Sequence, residues 1–214
     1  MRRDEIRSLI RNVLPKVDKT NQYHDEFLNR VIEKVVSQMY EDIWRMNPLN
    51  LQRYTKGFGY TSPIAVNTEQ GTNISYANLP ESIVPFQDKS SGVRRVSTIA
   101  QGGFTFFPMD FREMDLIANG GNFNTVNRKV GYAVNQSRIE FFGMTNAIKQ
   151  VGIRMDLIIP FSKYDESDEV KIPEIADVRT GETFIDRVLK ILQVIRPTDL
   201  LDNNASQGQQ VKDN

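Results

Sequence analysis

The stretch His24-Asp25-Glu26-Phe27-Leu28-Asn29-Arg30-Val31-Ile32-Glu33-Lys34-Val35-Val36-Ser37-Gln38-Met39-Tyr40-Glu41-Asp42-Ile43-Trp44-Arg45-Met46 decides the fold. Apolar pairs recur at Phe27–Leu28, Val31–Ile32, Val35–Val36, Met39–Tyr40 and Ile43–Trp44, with polar pairs between them. The repeat is four residues, while an α-helix turns once in about 3.6. Each repeat therefore rotates the apolar stripe by about 40°, and from Phe27 to Ile43 it swings about 160°. One flat core face cannot cover such a stripe. The spacing predicts a single long helix buried at both ends, against different partners.

Working outward, Asn47-Pro48 ends this helix, because a residue before proline is steered away from the helical region. Upstream, Ile6, Leu9, Ile10, Val13 and Leu14 lie on one face of a shorter helix over Asp4 to Leu14. Pro15 and the polar run Asp18 to Asn21 join the two helices as a hairpin. Downstream, turn formers, aromatics and β-branched residues take over. Strands are expected at Ile74–Ala77, Val93–Ile99 and Val151–Phe161, Gly102-Gly103 turns the chain into Phe104–Phe107, and a hairpin of Val130–Val134 and Arg138–Phe142 is expected around Asn135-Gln136-Ser137. In the strand Val151–Phe161 the end, Leu157-Ile158-Ile159, is expected to be covered on both sides. Leu79 to Phe86 carries Pro80 and Pro85 and belongs on a sheet edge or a surface. A short helix is expected over Pro108–Ile117 and a turn at Asn119-Gly120-Gly121-Asn122. A last helix runs from Thr183 to Arg196, opened by Thr183 and Asp186 as a capping box and closed by Pro197.

This order gives an α+β fold: a helical bundle from the N- and C-terminal helices with an inserted β-rich layer. The expected parts are residues 1–50 (N-terminal helices), 51–178 (β-rich insertion), 179–199 (C-terminal helix) and 200–214, a polar tail whose composition predicts disorder on its own.

Composition excludes several functions. The 214 residues carry 27 lysines and arginines against 27 aspartates and glutamates, which argues against a general nucleic-acid binder. The hydrophobic share of 39% fits burial shared with neighbouring subunits, and equally fits extended loops. Absence of cysteine removes disulfides, thiolate chemistry and cysteine metal sites. The opening Met1-Arg2-Arg3-Asp4-Glu5 leads into a charged amphipathic helix with no apolar core, so no signal peptide is expected. No apolar run is long enough to span a membrane, so no membrane partner is expected.

Motifs for catalysis are lacking. His24 is the single histidine, and no Gly-x-Ser-x-Gly elbow accompanies it, so a solvated helix-start histidine is expected. The run Asp165-Glu166-Ser167-Asp168-Glu169 could attract a divalent cation and is the basis of an alternative reading as a metal-assisted enzyme. It lacks the glycine and the spacing of a calcium loop, which favours a plain solvated loop. Gly57-Phe58-Gly59 and the later glycine pairs do not continue as phosphate loops and read as turns. Arg94-Arg95 alternate to opposite faces of their strand and cannot form one nucleic-acid patch. Neither catalytic residue, metal site nor cofactor is expected.

Several phrases nevertheless go together: the helix Phe27 to Met46, Leu79-Pro80-Glu81-Ser82-Ile83, Val130-Gly131-Tyr132-Ala133-Val134-Asn135, Arg138-Ile139-Glu140-Phe141-Phe142, Val151 to Phe161, and Pro197-Thr198-Asp199-Leu200-Leu201-Asp202-Asn203-Asn204. In this order the chain resembles the head-to-tail adaptor (connector ring) proteins of tailed bacteriophages, closest to those of crAss-like short-tailed phages. The resemblance implies a virion protein assembled in the host cytoplasm. It implies a homo-oligomeric ring, commonly of twelve copies, between the portal protein and the next tail or ring protein. DNA passes through the lumen without sequence-specific binding. A neutral chain suits a conduit that does not grip DNA through its phosphates. A different virion component, tail-tube or capsid-associated, is the alternative within the same class. The candidate interface residues are Phe27, Val31, Ile43 and Trp44 on the long helix, and Leu200, Leu201 and Val211, apolar anchors in the polar tail.

Overall fold

The structure is a computed structural model that describes residues 1–13, 24–71, 74–98, 104–110, 112–113, 129–144, 146–173, 175–177 and 181–194. The expected linker from Leu14, the turn at Asn119–Asn122, and Leu200, Leu201 and Val211 of the tail lie outside the described residues. The helix expected over Pro108–Ile117 is helical at 112–113, and from 114 onward it also lies outside them.

Helix α1 (Arg3–Val13) buries Ile6 and Ile10 and leaves Val13 45% exposed, so its apolar stripe is narrower than expected. Helix α2 (Asp25–Met46) is one continuous helix. Its buried residues, Leu28, Val31, Ile32, Val35, Val36, Met39 and Tyr40, keep the four-residue repeat. A rotating stripe needs several partners, and α2 has them: α1, the 3-10 segment Pro48–Tyr54, the 3-10 turn Phe161–Lys163, and helix α4 (Phe184–Val194). The two ends are less buried than expected. Phe27, Ile43 and Trp44 are half-buried against the core, and full burial is confined to the middle.

The strands form three sheets. The first is antiparallel, in the order β1 (Lys56–Phe58), β8 (Ile153–Leu157), β4 (Val93–Thr98). The second has the order β2 (Asn67–Thr68), β3 (Ser75–Asn78), β7 (Arg138–Phe142), β6 (Lys129–Asn135), β5 (Thr105–Pro108), and only its β5–β6 pair is parallel. A third pairs β9 (Ile175–Asp177) with β10 (Glu182–Thr183). The expected hairpin is present as β6–β7, joined by Gln136-Ser137, with Gln136 at φ 52° as a tight loop requires.

The expected strand Val151–Phe161 is shorter at both ends: β8 starts two residues late and stops at Leu157, and Phe161 opens the 3-10 turn. Val151 closes the short helix α3 (Asn146–Val151), and Gly152, at φ 73°, donates its N–H to the Ile148 carbonyl. That left-handed glycine ends the helix and turns the chain into β8. Beyond β8, Ile158 and Ile159 are fully buried, as the apolar run predicts. At α4 the capping box is reciprocal: Asp186 N–H donates to Thr183 Oγ1 at 3.2 Å, and Thr183 N–H donates to Asp186 Oδ2 at 2.9 Å. The fold is mixed α+β, and one core cluster draws residues from α1, α2, α4 and both larger sheets.

Candidate functional site

Of the expected interface residues on α2, Val31 is 6% exposed and its side chain is used within the chain. Trp44 is fastened by a polar contact. Its Nε1–H donates to Asp88 Oδ2 at 3.2 Å, and its ring stacks on Phe86 with centroids 6.4 Å apart. The same carboxylate oxygen accepts Arg94 Nη1–H at 2.9 Å, and Ser90 Oγ–H donates to Oδ1 at 3.1 Å. Arg94 is 8% exposed in its side chain and lies 4.9 Å from the Phe86 ring centroid. Its Nε and Nη2 are buried without a hydrogen-bond partner among the described residues. A buried guanidinium that keeps one carboxylate depends on it, since removing one partner leaves an uncompensated charge. The sequence did not flag this triad. Arg94 is the extra residue where the β4 register shifts between Val93 and Arg95, and no local pattern marks that shift.

Two grooves flank the proline-punctuated segment Leu79 to Asp88. One, of about 460 Å³, runs between that segment and the polar side of α2, where Glu33, Ser37 and Glu41 form the wall. The other, of about 790 Å³, lies between the segment and the β6–β7 hairpin, with Met109, Ala133 and Val134 in its lining. Ile83 and Pro85 line both. The segment is held from beneath, because Val84 N–H donates to the Ile158 carbonyl at 2.9 Å. It is therefore an exposed ridge anchored on β8's continuation, as its prolines require. Beyond Trp44, Met46 and Leu49 are 67% and 70% exposed, at the end of α2 and the start of the next turn.

The acidic run at 165–169 is largely exposed, as expected of a solvated loop, yet two of its carboxylates are paired. Glu166 pairs with Arg7 at 2.6 Å and Arg3 at 4.0 Å, and Asp168 pairs with Lys56. The backbones of Arg2 and Glu169 pair as an isolated antiparallel β-bridge, and Val170 N–H donates to the Met1 carbonyl at 2.9 Å. The loop is a clasp that fastens α1 to the β-rich part. The hydrogen bond from Lys56 holds the Asp168 carboxyl below the usual carboxylate range, against the opposing effect of its burial. Beside it, burial pushes the Tyr164 hydroxyl up to about 12. Glu166 and Asp168 thus meet cations of the same chain, and among the described residues no group of three or more His, Cys, Asp or Glu is placed to hold a metal ion. His24 is exposed at the start of α2 and makes no side-chain capping bond.

None of the described helices is long and apolar enough to cross a membrane. Comparison with known protein families finds no match, and comparison with curated proteins finds no significant relative. The candidate site is therefore a surface: the end of α2 with Ile43, Trp44, Met46 and Leu49, and the ridge and grooves beside it.

Proposed function

We propose that this chain is a non-catalytic structural subunit of a virion. It acts as a head-to-tail adaptor whose copies form a ring, twelve in the family's usual pattern, between the portal protein and the tail, with DNA passing through the centre. The finer fold belongs to the same reading: α1, α2 and α4 make the bundle, and the strands between α2 and α4 make the inserted layer. Mutual contacts among these three helices support it.

The observation that carries the proposal is the burial gradient along α2. Its middle is consumed by the chain's own elements, while Ile43 and Trp44 are half-buried and Met46 and Leu49 stand out at its end. A subunit that repeats head to tail needs apolar surface left over at a defined place. The order of sequence phrases that resembles the adaptor family adds the identity of the assembly.

Light scattering of purified chain at micromolar concentration, followed by cryo-microscopy of the particles, tests it. Closed rings support the adaptor. Open tubes support a tail-tube component, and a monomer at every concentration refutes both.

A further inference from the structure

The outer face of the three-stranded sheet carries a second cluster that the proposed assembly does not use. In the register of β4 on β8, Arg95 faces Asp156 and Ser97 faces Arg154. Alternation along β8, and a register shift between Val93 and Arg95 on β4, put these four on the side opposite the buried Val93, Val96, Met155 and Leu157. On the other flank of β8, Gly57 faces Asp156.

The run Gly57-Phe58-Gly59-Tyr60 builds the rest. Gly59 takes φ 82° and lies so close to β8 that a Cβ there would stand 2.6 Å from the Ile153 carbonyl oxygen. This turn folds Tyr60 back over Gly57, where a Cβ would stand 2.7 Å from the ring's Cε2. Both glycines are thus needed to lay one aromatic ring on the sheet. Tyr60 stays 49% exposed and donates its hydroxyl to Asp156 Oδ1 at 2.8 Å. Arg154 sits 5.1 Å from the ring centroid and donates Nε–H to Ser97 Oγ at 2.7 Å. The two contacts hold the guanidinium in place and leave its terminal nitrogens uncommitted. Arg95 is exposed, has no side-chain ion pair or hydrogen bond among the described residues, and lies near enough to Tyr60 to act on its hydroxyl. Two guanidiniums against one carboxylate leave the face net cationic.

We propose that this face, with Arg95, Arg154, Ser97 and Tyr60, contacts the phosphodiester backbone of nucleic acid. A guanidinium fork matches two phosphate oxygens, and one held in place loses little freedom on binding. An exposed ring beside two guanidiniums suits a nucleotide better than a carboxylate surface. The chain is neutral as a whole, so a contact of this kind has to be local. The inference stands on this cluster alone and does not depend on ring formation.

Fluorescence anisotropy tests it, with a labelled duplex of about 30 base pairs, the matching single strand, and an acidic peptide of equal charge. The full chain should bind the nucleic acids weakly, with an affinity that falls as salt rises. The double change Arg95→Ala with Arg154→Ala should weaken binding about tenfold at low salt and flatten the duplex salt dependence by about two units of slope. Lysine at both positions should keep most of the binding and guards against a folding defect. Arg53→Ala, an exposed arginine elsewhere, should change nothing. The proposal is overturned if the full chain binds neither strand form, if Arg53→Ala weakens binding as much as the changes on the face, or if the acidic peptide binds equally well.

Discussion

Ile32 and Ile43 lie on the same helix, and the same substitution at each isolates the effect of burial. Ile32 is fully buried, whereas Ile43 is half-buried near the helix end. Ile32→Ala removes three carbons from the core. At about 0.8 kcal/mol per buried methylene, the transfer contribution is about 2.4 kcal/mol. The surrounding Val35, Val36 and Leu28 belong to a rigid helix and relax little, so a cavity cost is added and the total becomes about 3–4 kcal/mol. In a chain of this length that lowers the melting temperature by roughly 10 °C. Ile43→Ala leaves a gap that water reaches, so its cost to the free subunit is about 1–2 kcal/mol.

Urea unfolding of the isolated subunit measures both, with an unchanged m-value as the condition for comparing midpoints. Assembly, followed by light scattering, should respond in the opposite order. Ile43→Ala, and Trp44→Ala with it, should raise the concentration needed to assemble, while Ile32→Ala acts only through stability. Equal costs at Ile32 and Ile43 would refute the burial gradient. A neutral Ile43→Ala in both folding and assembly would remove the end of α2 from any interface.

Three further outcomes follow from the structure. Gly59→Ala should destabilise by about 2–4 kcal/mol, combining left-handed backbone strain with a clash against the Ile153 backbone, as read by urea unfolding. Gly71→Ala, also at positive φ but with nothing among the described residues within 4 Å, should cost only about 1 kcal/mol; equal losses would show that the clash is not real. The Asp168 carboxyl is depressed in the folded chain, so its contribution is fully present above about pH 4 and is lost as pH falls through its folded value. Asp168→Asn should therefore shift the acid-unfolding midpoint upward and flatten that part of the profile, and an unchanged acid transition would remove the clasp from the stability of the fold. Deleting residues 200–214 should leave the melting temperature nearly unchanged and weaken assembly, since their composition supplies no core of its own; equal assembly by the shortened chain would make the tail dispensable.

Periodicity made most of the fold legible. The four-residue repeat of α2, the β6–β7 hairpin and the Thr183–Asp186 cap are local patterns, and local patterns are written in neighbouring residues. What escaped was one local turn and several long-range contacts. Val151 fits the alternation of β8, yet Gly152 takes it into a helix, because a left-handed glycine stops one element and starts another whatever the side-chain pattern says. Phe27 and Trp44 repeat with the stripe, but how far each is covered depends on elements remote in sequence. The pairing of the exposed acidic run is not legible in its neighbours, because its cations, Arg3, Arg7 and Lys56, lie more than a hundred residues upstream.

Charge makes the same point about function. Equal numbers of acids and bases suggested an electrically quiet chain, but the structure distributes them unequally. Glu166 is spent on holding α1, Asp168 on holding Lys56 of β1, and Asp88 on holding Arg94 and Trp44. Each such pair cancels within a few ångströms and contributes little field at a distance. What a partner meets is the remainder, and on the outer face of the β1–β8–β4 sheet the remainder includes Arg95 and Arg154. Gly57-Phe58-Gly59 was read as turn glycines, and that reading holds for Gly59. Their further consequence, the seating of Tyr60 beside those arginines, could not be seen until β1, β8 and β4 were brought side by side.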